Sequence, residues 1–335
     1  MYLIRGFNYT ISTKKPVNFE ISLTNTKLNC YTQLKVLDEN NKEILETKYH
    51  MVHNQKGVFN APIDTGNYTI NFKTLSSGCS KSDFDLKVTR VSGNFEIEPN
   101  NDLSSATALK ELKYVYGYLQ KTGDEDFYKL NLPSKCILDL EFLHDKIKGY
   151  DNFRIEIIDA NDKLVVKYES HRDSLKTERK FGLDKGIYFI KVRSSTSGGL
   201  EHQEYKMAYS FSKNKNTEVL PNDDFSNATV VNDGVYISGT FNELHKKDHY
   251  KYKANKGKYS LLYEHKAYKY GTRIEIFDSN QKKIKDIRQK GLKEKEYFDF
   301  EVKQDDTIYI RFEKSSLSNE ANEELLYKFG VIKSK

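Results

Sequence analysis

Oxygen-bearing side chains of the kind that bind metal ions lie in two short segments of this chain. The segment "EIEPNN" places Glu96, Glu98 and Asn100 at alternate positions. Because side chains alternate between the two sides of an extended chain, these three would face the same way. The segment "GDEDFYKL" adds Asp124 and Asp126 just before a strand-like run. If the two segments lie side by side, about four or five oxygens converge, which is most of the six to eight oxygen ligands that calcium normally takes. The alternative is that the carboxylates cap a turn and face water.

The first of these segments belongs to an internal repeat. "EIEPNNDLSSATAL" begins at Glu96, and "EVLPNDDFSNATVV" begins at Glu218. Asp126 recurs at Asp248 with the same displacement of 122 positions. Repetition at a fixed spacing is typical of tandem structural units. A chain of 335 residues is also long enough for more than one domain, so we expect similar modules in series.

Phrases that predict strands and turns recur in the same register. "FRIEIIDANDKLVVK" from Phe153 returns as "TRIEIFDSNQKKIKD" from Thr272, and a third copy, "TQLKVLDENNKEILETK", begins at Thr32. In each phrase β-branched residues alternate with charged ones on either side of an Asp/Asn turn, which predicts a β-hairpin. Successive short strands without helical crossovers favour β-sandwiches. We therefore predict an all-β chain of three tandem antiparallel β-sandwiches, over residues 1–93, 94–214 and 215–335.

Composition supports a folded, β-rich chain and excludes two classes of partner. Aromatic residues make up 13% of the chain and are all Tyr or Phe, which favour strands. The net charge of +6 is spread over a chain that is 30% charged, so we expect a solvated surface and no nucleic-acid partner. No apolar run approaches the roughly 18 residues needed for a membrane span.

The N-terminal sequence and the cysteines give little support for a stapled secreted scaffold. "MYLIRGFNYTISTKK" carries a charge inside its short apolar stretch, so it lacks the pattern of a signal peptide. Three cysteines are too few for a disulfide framework. Cys30 and Cys79 could pair because both lie in the first unit, but we favour small buried hydrophobic residues for Cys30, Cys79 and Cys136.

The repeat phrases resemble the bacterial pre-peptidase C-terminal domain, which is related to the collagen-binding domain of clostridial collagenases. The matching words, in order, are "EIEPNNDLSSATA", "GYL", "DEDFYKL", "GIYFIKV" and "YKMAYSF", and they span nearly all of residues 94–214. The resemblance implies a secreted, jelly-roll-like β-sandwich attached to an enzyme or surface protein. It also implies calcium ligands at Glu96, Glu98, Asn100 and Asp126. Asn101 falls where calcium-binding members often have Asp, which weakens the site.

The third unit keeps fewer of these ligands. Leu220 replaces the second glutamate, and Asp248 has no carboxylate two residues before it. Fewer charges predict weaker calcium binding. The candidate ligands of this weaker site are Glu218, Asn222, Asp223 and Asp248.

The first unit lacks the acidic phrase altogether. "GFNYTIST" aligns with the strand that starts at Asp126, so the opening segment and its first strand have no counterpart. A sandwich that is short of a strand exposes unpaired backbone groups, which are templates for strand addition. We therefore consider a second class of function, in which the chain is a structural subunit that assembles by strand complementation and forms homo-oligomers.

No catalytic motif emerges from the remaining residues. The chain contains no H-E-x-x-H, G-x-S-x-G, phosphate-binding loop or C-x-x-C pattern. His245 and His249 are spaced as zinc ligands on a helix would be, but they lie between predicted strands, so we favour a solvated loop.

We therefore expect a non-enzymatic binding or targeting array at the surface of a bacterium or outside it. Its middle unit would be stabilised by calcium, and its partner would be a host-matrix or cell-wall polymer or protein. In the collagen-binding relatives, exposed aromatic residues on one sheet contact the ligand. The corresponding tyrosines are Tyr188, Tyr205, Tyr309 and Tyr327, although most tyrosines in such strands are core residues.

Overall fold

The computed structural model describes most of the chain as β-strands and the turns between them. The described residues are 6–25, 30–51, 56–75, 84–147, 149–196, 200, 203–242, 244, 246–265, 271–289, 295–314 and 326–334. Within these residues the secondary structure is strand without helix, which confirms the all-β prediction. In this part of the chain, no helix is therefore long and apolar enough to cross a membrane.

The N-terminal module has seven strands among its described residues. They are β1 (Gly6–Thr13), β2 (Val17–Asn25), β3 (Cys30–Leu37), β4 (Glu43–Met51), β5 (Lys56–Ile63), β6 (Gly66–Thr74) and β7 (Phe84–Val91). One sheet has the order β1-β6-β3-β4, and the other has the order β5-β2-β7. The two sheets enclose a core of buried side chains that includes Ile21, Val36 and Phe72.

The middle module adds two short strands to the same plan. Its strands are β8 (Thr107–Ala108), β9 (Val115–Leu119), β10 (Glu125–Leu132), β11 (Cys136–His144), β12 (Phe153–Asp159), β13 (Leu164–Ser170), β14 (Lys176–Leu183), β15 (Gly186–Ser194) and β16 (Gln203–Lys213). The sheet orders are β13-β12-β15-β10-β8 and β14-β11-β16-β9. The added strands β8 and β9 therefore each cover one sheet edge.

The C-terminal module repeats the middle one. Its strands are β17 (Thr229–Val231), β18 (Tyr236–Thr240), β19 (Lys247–Ala254), β20 (Gly257–His265), β21 (Thr272–Phe277), β22 (Lys283–Gln289), β23 (Lys295–Val302), β24 (Asp306–Lys314) and β25 (Leu326–Lys333). The sheet orders are β17-β19-β24-β21-β22 and β18-β25-β20-β23. Neighbouring strands in the sheets are antiparallel, with one exception in each of these two modules. At one sheet edge β8 runs parallel to β10, and at the equivalent edge β17 runs parallel to β19.

The recurring hairpin phrase forms the same turn in all three modules. In the middle module, Asp159 accepts hydrogen bonds from the backbone N–H groups of Asn161 (2.8 Å) and Lys163 (3.0 Å). Asp162 takes a positive φ of 61°. Asp38 and Asp278 make the equivalent pair of bonds in the other two modules. The Asp carboxylate thus fixes the turn through local bonds, as Asx-turns do.

Consecutive modules are joined through the segment that carries the acidic phrase. The Glu98 N–H donates to the Pro62 carbonyl at the end of β5 (3.0 Å), and the Leu220 N–H donates to the Gly182 carbonyl at the end of β14 (3.0 Å). Both donors precede a cis proline. The side chain of Leu220, 3% exposed, belongs to the core cluster of the middle module. Each acidic phrase therefore docks on the module before its own.

The cysteines divide into two kinds. Cys30, buried in β3, is disulfide-bonded. Cys136 is a free thiol buried in the middle core, where burial raises its pKa to about 11. The preference for a free buried thiol is thus wrong for Cys30 and fits Cys136, while Cys79 lies outside the described residues.

Candidate functional site

The acidic phrase of the middle module is held against the edge of the second sheet. The Glu96 N–H donates to the Tyr116 carbonyl (2.9 Å), and the Ile97 N–H donates to the Thr107 hydroxyl (2.9 Å). Asp126 lies at the start of β10, where the Phe127 N–H donates to the Asn100 carbonyl (2.8 Å). These backbone bonds bring the two acidic segments side by side, which is the condition for a shared cation site.

Three carboxylates meet in the interior of the middle module. Glu96, Glu98 and Asp126 each offer an oxygen, and these oxygens all lie within 4.8 Å of one another. Two ligand oxygens on opposite sides of a calcium ion are at most about 5 Å apart, because each bond is about 2.3–2.6 Å long. The three side chains are 1%, 5% and 0% exposed. The spacing therefore suits a cation of calcium's size, and we call this cluster, with Asn100, the middle clamp.

Several oxygens of the middle clamp have no hydrogen-bond partner. They are Glu98 Oε1, Asn100 Oδ1 and Asp126 Oδ1, all of which are buried. A buried acceptor without a donor costs about 1–3 kcal/mol, and more when it is charged. One such atom on each of three neighbouring residues is therefore an unstable arrangement for the protein alone. A bound cation would satisfy all of them at once.

The other oxygens of the middle clamp accept hydrogen bonds that fix their direction. Glu96 accepts from the Tyr118 N–H (2.7 Å), from the Asn100 amide (3.0 Å) and from the Tyr128 hydroxyl (2.6 Å). Glu98 accepts from the Asn100 N–H (3.0 Å). These donors hold the carboxylates in place, so the site is ordered before any ion binds.

The electrostatics of the middle clamp also favour a cation. Burial, together with the charge of Asp124, raises the pKa of Glu96 to about 8. Burial and the neighbouring carboxylates raise the pKa values of Glu98 and Asp126 well above their usual range. Ionised carboxylates in such a site need a compensating positive charge. A bound cation would supply that charge.

A pair of buried tyrosines supports the middle clamp. The Tyr205 hydroxyl donates to Asp126 (2.6 Å), and the Tyr128 and Tyr205 hydroxyls lie 2.7 Å apart. Gly117 lets the two rings approach, because a side-chain carbon at that position would lie 2.5 Å from the Tyr205 hydroxyl oxygen. Sequence reasoning missed these supporting roles of Tyr128 and Gly117. The signal was present, since Tyr250 and Gly239 recur at the repeat spacing of 122.

Asp124 lies beside the middle clamp but has other partners. Its carboxylate accepts from the Gln120 N–H (2.6 Å) and from the Asn101 amide (3.0 Å). It is 4% exposed and is not one of the three carboxylates that converge within 4.8 Å. In this structure Asp124 therefore stabilises the turn before β10 and adds negative charge nearby. Asn101 takes part in the same turn.

The C-terminal module has a reduced version of the middle clamp. Glu218, Asn222 and Asp248 are each 0% exposed, and the Asn222 Oδ1 and Asp248 Oδ1 atoms have no hydrogen-bond partner. Tyr250 donates to Glu218 (3.0 Å), and Tyr327 donates to Asp248 (2.7 Å). In the clamp itself Leu220 stands where Glu98 would be, and beside the clamp Lys246 stands in place of Asp124. Asp223 is half-buried and accepts from the Asn227 amide (2.8 Å).

The structure places the four candidate ligand-binding tyrosines largely in the interior. Tyr205 and Tyr327 are 1% and 2% exposed and donate hydrogen bonds to Asp126 and Asp248. Tyr188 is 7% exposed and packs in the core of the middle module. These three are not available to a ligand at the surface, because their rings fill the modules. Tyr309 is partly exposed and packs edge-on against Phe225. His249 is buried beside the same phenylalanine, and His245 lies outside the described residues.

A shallow groove on the outer face of the middle module offers a different surface. It is lined mainly by apolar and acidic side chains and has a volume of about 240 Å³. Tyr114 and Leu112 are 39% and 73% exposed. The lining residues are Leu112, Tyr114, Asp139, Glu141, Glu178, Ala208, Tyr209 and Ser210. We call this surface the outer groove.

The similarity of this chain to known proteins is limited to solved structures at low sequence identity. No protein-family model and no curated protein matches it. The pre-peptidase C-terminal domain of collagenase from Bacillus anthracis is 18% identical and covers 33% of this chain and 100% of its own, with a TM-score of 0.27. That domain belongs to the family that the sequence resembles.

Tandem modules are also among the similar solved structures. The tandem CBM51 modules of a family 98 glycoside hydrolase from Streptococcus pneumoniae are 10% identical and cover 63% of this chain and 82% of theirs, with a TM-score of 0.21. The CBM22 tandem domain from Paenibacillus barcinonensis is 9% identical and covers 61% and 82%, with a TM-score of 0.22. Nothing about function follows at these levels of similarity, so the function has to be inferred from the geometry of the site.

Proposed function

We propose that this chain is a non-enzymatic, extracellular binding or targeting array whose middle module is stabilised by a calcium ion in the middle clamp. The observation that carries the proposal is the convergence of three buried carboxylates, Glu96, Glu98 and Asp126, with an unpaired oxygen on Glu98, on Asp126 and on the neighbouring Asn100. The ion would neutralise their charge. Glu96, Glu98, Asn100 and Asp126 would hold it, with water completing the coordination. In the C-terminal module the loss of one carboxylate makes calcium binding weaker.

Two features support a location outside the cytoplasm. Cys30 is disulfide-bonded, and disulfides persist mainly in oxidising compartments. Calcium affinity falls as the number of charged ligands falls, and extracellular modules bind calcium at about 10⁻⁴–10⁻³ M. A clamp with only three carboxylates would suit the higher calcium concentrations outside a cell.

Two further features support binding over catalysis. The Ser170 hydroxyl and the His144 ring lie 3.0 Å apart, a contact that resembles a nucleophile and its base. Their side chains are 0% and 6% exposed, so a substrate could not reach them. The outer groove, by contrast, is open and presents Tyr114 and Leu112 beside carboxylates. Because these carboxylates are already paired with Lys176 and Lys180, we propose the outer groove as the surface that contacts an extracellular polymer or protein with hydroxyl groups.

Terbium luminescence tests the metal site directly. Terbium replaces calcium at oxygen sites and emits when a nearby tyrosine is excited. Because Tyr128 donates to Glu96 and Tyr205 donates to Asp126, both rings lie close to the proposed ion. We expect sensitised emission that calcium displaces, that Asp126→Asn abolishes, and that Asp248→Asn leaves almost unchanged. Emission unaffected by Asp126→Asn would refute the middle clamp as the metal site.

Sedimentation with insoluble polymers tests the binding role. The full chain is mixed with type I collagen fibres or with purified peptidoglycan, and the bound fraction is measured with and without calcium. We expect at least one polymer to bind the native chain and to bind a much smaller fraction of a double variant that carries Tyr114→Ala and Leu112→Ser. Tyr31→Ala is the matched control, since Tyr31 is an exposed tyrosine of another module. Equal retention of both variants would remove the outer groove from the proposal.

A further inference from the structure

A row of four residues crosses the outer face of one sheet in the C-terminal module. Tyr236 of β18 pairs with Gly330 of β25, which also pairs with Leu262 of β20. Leu262 pairs in turn with Tyr297 of β23. Both sequence neighbours of Leu262 pack in the core of the module, so Leu262 points to the outer face. Directly paired residues share a face, and we call these four the tyrosine row.

The two tyrosines of the row lie along the sheet surface. Tyr236 and Tyr297 are 43% and 61% exposed, whereas Leu262 between them is 0% exposed. A side-chain carbon at Gly330 would lie 3.2 Å from the Tyr236 ring, so this ring lies across the glycine. The complete burial of Leu262 on an outer face shows that the larger side chains beside it cover it. Each ring therefore packs one side on the sheet and turns the other side to solvent.

The tyrosine hydroxyls lie near one lysine, although two strands separate β18 from β23. The bond of Lys295 to Glu264 (2.8 Å) is the main reason that the pKa of Lys295 is raised, and the charges of Tyr297 and Tyr236 add to this effect. Three strand spacings of about 4.8 Å place the Cα atoms of the two tyrosines about 14 Å apart. The rings therefore lean towards each other and form an elongated shelf.

The charges around the shelf compensate one another. In the row on one side, Glu264 pairs with Lys328 and with Lys295. In the row on the other side, Asp299 accepts a hydrogen bond from the Ser260 hydroxyl. Two positive and two negative side chains thus flank the shelf, for a net charge of 2 − 2 = 0. A surface with balanced charges complements an uncharged ligand.

The equivalent surface of the middle module is the outer groove. Tyr114 precedes Tyr236 by the repeat spacing of 122. Glu141 and Glu178 stand where the C-terminal module has Leu262 and Tyr297. The two modules therefore present the same face with different chemistry, acidic in the middle module and aromatic in the C-terminal one. Substitutions can address each surface separately.

The position of the row on a sheet face limits what can bind there. Backbone N–H and C=O groups point sideways into the strand ladder, so a ligand on this face meets side chains only. An extended peptide would leave its own backbone groups unpaired, which is unfavourable. A neutral sugar chain presents C–H groups to the tyrosine rings and hydroxyl groups to the polar side chains on either side.

We propose that the tyrosine row is a second binding surface, which takes an uncharged polysaccharide with its sugar rings stacked on Tyr236 and Tyr297. This inference rests on the binding role proposed above and adds a site on another module with a defined ligand class. The length of the shelf suits an oligosaccharide segment. The row uses none of the clamp carboxylates, so its binding is independent of calcium.

Affinity electrophoresis of the full chain tests the tyrosine row. Native gels contain dextran, laminarin or hydroxyethylcellulose, which are all uncharged, and EDTA is present throughout. We expect at least one of them to slow the native chain. Tyr236→Ala and Tyr297→Ala should each weaken the affinity at least about tenfold, the effect expected for an aromatic hot spot. Tyr150→Ala is the matched control, because Tyr150 is 92% exposed and lies outside the row and the outer groove.

Leu262→Glu is a second variant that keeps both tyrosines. It introduces the residue type that the middle module carries at this position, and Lys295 and Lys328 flank it. We expect the same loss of affinity of at least about tenfold for the uncharged polysaccharide. Circular dichroism checks that each variant is folded. Unchanged affinity in folded variants at all three positions would overturn the proposal.

The remaining outcomes separate this proposal from the binding role of the outer groove. A loss of affinity in the Tyr114→Ala, Leu112→Ser variant alone would overturn the tyrosine row and leave the outer groove as the binding surface. If none of the three polysaccharides slows the native chain, the tyrosine row is refuted, whereas sedimentation with collagen or peptidoglycan still tests the outer groove. Stronger retardation by anionic polygalacturonate than by every uncharged polymer would contradict the ligand class. A dimer that Tyr297→Ala dissociates, without polysaccharide binding, would assign the face to a second copy of the chain and overturn the proposal.

Discussion

Replacing Glu98 by leucine should make the middle module more stable than the native one in EDTA and less stable than the native one in calcium. Without calcium, Glu98 keeps one buried oxygen unpaired, which costs about 1–3 kcal/mol, while its bond from the Asn100 N–H returns about 1 kcal/mol. Glu98→Leu removes both terms, and the C-terminal module accommodates Leu220 at the same position. In EDTA we therefore expect the variant to be more stable by about 1 kcal/mol, or about 4 °C in Tm.

Calcium should change the sign of this difference. At a calcium concentration near 100 times the dissociation constant, the native module gains about 2.7 kcal/mol, or roughly 10 °C in Tm. The variant lacks one of three carboxylates and should gain little. The native protein should then exceed the variant by about 1.7 kcal/mol.

Differential scanning calorimetry of both proteins, in EDTA and in calcium, measures the effect. Asp102→Asn is the matched control, because Asp102 is an exposed acid of the same segment that caps a turn at Ser104 and Ser105. It should leave the calcium gain intact. A Glu98→Leu variant that gains as much from calcium as the native protein would refute the reasoning. So would a native protein whose middle transition does not respond.

Three further predictions concern the middle clamp and the docking of the C-terminal module. Tyr205→Phe should lower the stability of the middle module in EDTA by about 1–3 kcal/mol in urea unfolding, because Asp126 loses its donor, whereas Tyr209→Phe should not. Leu220→Glu should cost about 2–4 kcal/mol, since it places a carboxylate in the middle core, and an unchanged midpoint would contradict the docking of the third module on the second. In EDTA the middle module should lose stability as pH rises from 4.5 towards 8, because folded Glu96 still holds a proton that the unfolded chain has released. Calcium should abolish this decline. A stability that rises over this pH range in EDTA would contradict the raised pKa of Glu96.

Much of the fold was readable from the sequence because the repeat carries local signals. The hairpin phrase predicted a turn, and Asp38, Asp159 and Asp278 form it through bonds to residues two and four positions later. The alternation of Glu96, Glu98 and Asn100 likewise predicted a shared face. These features depend on near neighbours, so periodicity and turn chemistry are sufficient to find them.

What the sequence did not show depends on contacts between distant residues. The Tyr205 hydroxyl reaches Asp126 across 79 positions, so a strand pattern alone could not distinguish it from a tyrosine at the surface. The parallel pairing of β8 with β10 also depends on how the acidic phrase returns to the sheet.

The tyrosine pair also determines how the middle module would carry mechanical load. Tyr128 bonds to Glu96, near the start of the module, and Tyr205 belongs to its last strand. A force that pulls the two ends of the module apart is therefore transmitted through this buried contact and through the adjoining pairs of β9 with β16. Strands loaded along their length must break several hydrogen bonds together. We therefore expect the middle module to resist stretching when a force pulls its two ends apart.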